Sequence, residues 1–64
     1  MIAFHKSVKC YRLFYGYSQE YLAYKLGIEQ SNYCLREQGI TNFKDHEVDI
    51  LKDLFRIEIR EEKL

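Results

Sequence analysis

The chain has 64 residues, 47% of them hydrophobic and 16% aromatic, and its ten basic and ten acidic side chains cancel to zero net charge. That length makes one domain, 1–64, near the lower size at which a core holds a fold without disulfides, metal or a partner, and the apolar content excludes a disordered chain. No apolar run approaches the roughly 20 residues that span a bilayer, and the start MIAFHKSVKC lacks the long apolar segment and cleavage site of a signal peptide, so a cytoplasmic protein without membrane contact is expected.

Phe4, Val8, Tyr11 and Tyr15 recur at helical spacing, which predicts a first helix over 4–15 ended by Gly16. Leu13 falls about 200° around the wheel from Tyr11. With Phe14 it reads as an ordinary exposed apolar residue, or alternatively as part of a second contact surface. Tyr17 stands where a hydrophobic staple precedes a cap, and Ser18 can cap a second helix that carries Leu22, Ala23 and Leu26 on one stripe. Gly27 supplies the left-handed residue that ends it, Ile28 anchors the turn, and Glu29 to Glu37 offers a third helical run stopping at Gly39. The stretch from Ser18 to Gly39 is therefore helix, turn, helix.

Ile40, Thr41 and Asn42 form a loop with Phe43 as its anchor, and Val48, Leu51, Leu54 and Phe55 mark a fourth helix over roughly 44–55. Asp45 and Glu47 in its first turn suit the positive end of the helix dipole, a structural role. In the ending FRIEIREEKL, Phe55, Ile57 and Ile59 alternate with charged residues as a half-buried strand would.

Charge is unevenly spread. From residue 1 to 44 six basic and three acidic side chains give +3, and from 45 to 64 four basic and seven acidic give −3, so the half holding the helix-turn-helix is basic. Cys10 and Cys34 form no CxxC pair, and two reduced, partly buried thiols are expected rather than a disulfide or a metal site. His5 and His46 have no nucleophile or carboxylate at triad or metal-ligand spacing, so both read as solvated. No enzyme, catalytic residue, cofactor, metal or small-molecule substrate is indicated.

The runs Ser18-Gln19, Leu22-Ala23 and Leu26-Gly27-Ile28, closed by Glu37-Gln38-Gly39, resemble the pattern of the Cro and phage-repressor (xenobiotic-response-element) helix-turn-helix regulators. The likeness extends through Val8-Lys9-Cys10-Tyr11-Arg12, Gly16-Tyr17, Phe43, Val48, Leu51, Leu54, Phe55 and Ile57, roughly nine tenths of the chain. It implies an all-α fold, a compact lambda-repressor-like bundle of four to five short helices, with a connector at 56–58 and a fifth helix from Ile59 to Leu64. A terminal strand pairing across a dimer is the alternative.

The resemblance places the third helix in the major groove of double-stranded DNA. Gln30, Ser31, Asn32, Leu35 and Arg36 would meet bases, while Ser18, Gln19, Gln38 and Thr41 would meet the backbone. Gln30 has the amide geometry to pair with adenine and Leu35 could touch only a thymine methyl, so the implied readout favours A·T pairs. The chain departs from the pattern twice: Leu35-Arg36 reverses the usual polar-then-aliphatic order, and Ile40 stands where a basic residue is common. Either Arg36 lays its stem along the core with its head in solvent, or helix three is rotated. Tyr33 replaces an aliphatic residue and, with Tyr11, Tyr17 and Phe43, is expected in an aromatic core. Tyr21 and Tyr24 would edge that core, partly exposed.

The expected function is a sequence-specific DNA-binding transcriptional regulator, a repressor, acting as a homodimer through Ile40, Phe55, Ile57, Ile59 and Leu64. The alternative is an interaction module of the same fold with weak or no DNA binding, such as the regulator partner of a toxin or phage protein.

Overall fold

The computed structural model describes residues 3–56. They form four helices, α1 (Phe4–Tyr15), α2 (Gln19–Leu26), α3 (Gln30–Glu37) and α4 (Asp45–Leu54), with no strand among the described residues. The expected all-α bundle is what the chain adopts. The fifth helix expected at 59–64, and the strand that was its alternative, lie outside the described residues.

The breaks between α1, α2 and α3 are written locally. Gly16 and Gly27 take φ of 78° and 71° at the helix ends. The following amides, of Tyr17 and Ile28, each donate back to the carbonyl five residues earlier, Arg12 at 2.9 Å and Ala23 at 3.0 Å, so two helices end in the same left-handed motif. Ser18 Oγ accepts the Tyr21 amide proton at 2.9 Å and starts α2. Tyr17, expected as a staple, packs with its ring tilted against Tyr21 at 4.9 Å, in the first turn of α2.

Val8, Leu22, Ala23, Leu26, Tyr33, Leu51 and Phe55 make the buried core, with Tyr17, Ile28, Phe43, Ile50 and Leu54 packed against it. α3 lies chiefly on α2 and α1, and α4 lies on α2. Leu22 and Leu51 are fully buried, so truncating either to Ala costs about 2–5 kcal/mol.

The aromatic core differs from the expected one. Tyr33 is buried against Phe43 at 6.1 Å, and Phe43 packs edge to face on Phe4 at 5.6 Å. Tyr11 instead joins a second cluster around Phe55, stacking on it at 5.4 Å while keeping an exposed edge. Tyr15 also stacks on Phe55 at 5.8 Å and donates its hydroxyl to the Phe55 carbonyl at 3.0 Å. Phe55 is 1% exposed. That corrects its assignment to a dimer surface: the residue is spent inside its own protomer, because three tyrosines of the α1–α2 region close over it. Of the other residues expected there, Ile40 is exposed, and Ile57, Ile59 and Leu64 lie outside the described residues.

Two further expectations change. Cys10 is exposed rather than partly buried, while Cys34 is half-buried, and both are free. His5 is not solvated but half-buried with its ring against Gly39, where an added Cβ would lie 2.7 Å from the imidazole. His46 is exposed as expected.

Candidate nucleic-acid interface

Two charged residues at the end of α3 decide how that helix sits. Glu37 follows Tyr33 by one helical turn and points inward with it. Its carboxylate accepts from Arg12 Nε at 2.7 Å and Nη2 at 3.1 Å, from the Tyr33 hydroxyl at 2.6 Å, and from Gln19 Nε2 at 2.9 Å. Arg12 also donates Nη1 to the Tyr17 carbonyl at 3.0 Å. One buried carboxylate thus ties α1, the entry to α2 and α3 together. A lone buried charge would be prohibitive, and here the fork of Arg12 and two neutral donors satisfy it.

The titration of the three groups follows from that geometry. Burial alone would push Glu37 up, but the bonds from Arg12, Tyr33 and Gln19, with the charge of Arg12, outweigh it and hold the carboxyl below its ordinary value. The hydrogen bond to Glu37 raises Arg12 despite partial desolvation. Burial, then the bond donated to Glu37, pushes the Tyr33 phenol far up. At neutral pH the network is an ion pair plus a neutral phenol.

Arg36 makes the neighbouring tie. Its Nε donates to Glu47 Oε1 at 2.8 Å and its Nη1 to the Asn32 carbonyl at 3.2 Å, leaving the side chain 12% exposed. Glu47 Oε1 also accepts the Lys44 amide at 2.9 Å, at the start of α4. The reversed Leu35-Arg36 order therefore has a structural reason. An arginine occupies the aliphatic position because α4 presents it with a buried carboxylate, and Leu35 turns outward. Arg36 is corrected from base reader to strut between α3 and α4, and its head is in the protein rather than in solvent.

Of the remaining residues expected to meet bases, Gln30, Ser31, Asn32 and Leu35 all lie exposed on α3. Among the described residues the side chains of Gln30, Ser31 and Asn32 make no hydrogen bond, so their polar groups face outward unspent. The backbone set is more divided. Ser18 is exposed but its hydroxyl already caps α2. Gln19 spends one amide proton on Glu37 and retains a second. Gln38 donates to Cys34 Sγ at 3.2 Å, and Thr41 is exposed with its hydroxyl unspent.

Arg12 and Arg36 are each paired with a carboxylate, Glu37 and Glu47. The shallow groove between α2 and α3 is flanked by Glu20 and Glu29, beside the exposed Tyr24 and Gln30. No metal-ligating cluster occurs among the described residues, and no helix there is long and apolar enough to cross a membrane.

Sequence reasoning missed Arg12 and Glu37 as a pair. A signal existed: Arg12 lies four residues after the buried Val8 and Glu37 four after Tyr33, so each occupies a core-facing position where a charge needs a partner. Compared with protein families, curated proteins and solved structures, the chain finds no match.

Proposed function

We propose that this chain is a sequence-specific DNA-binding regulator, a repressor, that lays α3 in the major groove as a homodimer. The observation that carries it is the division of labour along α3. Its inward residues Tyr33, Arg36 and Glu37 are locked to α1, α2 and α4, while Gln30, Ser31 and Asn32 stand outward with unspent amide and hydroxyl groups. A rigid helix presenting Gln, Ser and Asn is suited to base edges, the amide pairing with adenine. The free amides at the start of α2 and the second proton of Gln19 would hold phosphate and set register.

One eight-residue helix reads few base pairs, so two protomers spaced about one helical turn, ~34 Å, supply the specificity. With Phe55 buried, Ile40 is the member of the expected dimer surface that lies exposed among the described residues. The duplex is the partner and the cytoplasm the setting; no cofactor enters. Selection from random duplexes at low salt tests the function. Recovery of A·T-rich palindromes with half-sites one turn apart is expected, and absence of any enriched site refutes it.

A second reading rests on the acid-flanked α2–α3 groove. With Arg12 and Arg36 neutralised, that surface suits a protein partner better than a polyanion. It is the interaction module of the same fold, and failure of the selection favours it.

A further inference from the structure

A half-open cleft of about 490 Å³ lies where the start of α1 meets the segment joining α3 to α4. Its apolar wall is Phe4, Phe43 and Val48, the two rings meeting edge to face at 5.6 Å. Its polar wall is Arg36, His5, Thr41 and Asn42, and none of the described lining residues is acidic.

Arg36 is the feature that makes this more than a dent. The side chain is 12% exposed, its Nε is held by Glu47 from outside the lining, and its Nη1 is held by the Asn32 carbonyl. Its Nη2 has no acceptor among the described residues, so donors remain unspent on a guanidinium whose other two nitrogens are already held in place. A guanidinium fixed in this way is preorganised for a planar acid. The opposite side is also set, since the His5 ring rests on Gly39 so closely that no side chain could replace the glycine without displacing it. The volume falls in the range of small-ligand sites, which combine apolar walls with a few placed polar groups.

We propose that this cleft binds a small aromatic carboxylate, its acid group on Arg36 and Thr41 and its ring against Phe4 and Phe43. Inorganic phosphate satisfies the polar wall but leaves the rings uncovered, and a neutral aromatic amide covers the rings but loses the charged bond. The site stands whether or not α3 reads DNA.

The test is a backbone amide NMR titration of the full chain with benzoate, benzamide and inorganic phosphate. Saturable shifts at His5, Arg36, Gly39 and residues 41–43 are expected with benzoate. Benzamide should bind about tenfold to a hundredfold more weakly, as loss of a charge-assisted bond implies, and phosphate should not saturate in the same range. Thr41→Val, at an exposed position that leaves the core intact, should weaken benzoate alone; Arg36→Lys, which keeps the charge and loses the fork, should weaken it further. Shifts scattered over surface lysines without saturation, equal binding of benzamide, or indifference to both substitutions would overturn the proposal.

Discussion

Replacing Glu37 by Leu should unfold this protein, although the exchange puts an apolar residue in a buried position. Glu37 is 6% exposed and is the only carboxylate within bonding distance of Arg12 among the described residues. Removing it leaves a guanidinium whose side chain is 11% exposed without a counter-charge, and breaking one side of a buried pair costs about 3–5 kcal/mol. The Tyr33 hydroxyl loses its acceptor in the same step, a further ~1–3 kcal/mol. A domain of this size holds only about 3–5 kcal/mol in total, so the loss exceeds the reserve. The triple variant Arg12→Met/Tyr33→Phe/Glu37→Leu removes every buried polar member at once and should recover to within about 2 kcal/mol of the parent, because matched apolar replacement of a buried pair is near neutral. Gln19, half-buried at the edge, can turn its amide to water. Urea unfolding followed by far-ultraviolet circular dichroism measures both. A cooperative transition for Glu37→Leu within about 1 kcal/mol of the parent would show that the network does not hold α3.

Ser18→Ala removes the acceptor of the Tyr21 amide and should cost about 1 kcal/mol in the same assay, whereas Gln30→Ala should leave stability unchanged. Gly39→Ala places a methyl group 2.7 Å from the His5 ring at a φ of +83°. It should cost about 1–3 kcal/mol and shift the His5 ring resonances. Acid should unfold the chain through Glu37. Its carboxyl is held below the ordinary value, so the stability it supplies is complete above about pH 4.3 and is lost as pH falls through the lower folded value. At the alkaline end Tyr33 keeps its proton in the folded chain while the unfolded chain gives it up near pH 10. Stability therefore falls as pH rises beyond that point, and Tyr33→Phe should remove this part of the decline.

The signals legible in the sequence were those acting over three to five residues. The Ser18 cap, the left-handed Gly16 and Gly27 and the spacing of Leu22, Ala23 and Leu26 fixed α1 and α2 to their ends, because each works through nearby backbone. The pairs Arg12–Glu37 and Arg36–Glu47 join residues 25 and 11 positions apart, and no local pattern says which buried charges will meet. Phe55 was ambiguous for the same reason. An apolar residue at a helix end suits a core or a dimer equally, and only the tyrosines brought from α1 and the turn before α2 decide it. On α3 the outward set was legible apart from Arg36, whose direction depends on a carboxylate from α4.

Amide NMR of the folded chain, titrated with an A·T-rich palindromic duplex at two salt concentrations, measures most directly whether α3 is the reading element. Perturbations centred on Gln30, Ser31 and Asn32, weakening as salt rises because phosphate contacts release counterions, are predicted. Gln30→Ala should cost about 1–3 kcal/mol at one base position only. Perturbations confined to the exposed Leu13 and Phe14 of α1, or no change at low salt, would contradict a groove-reading role for α3.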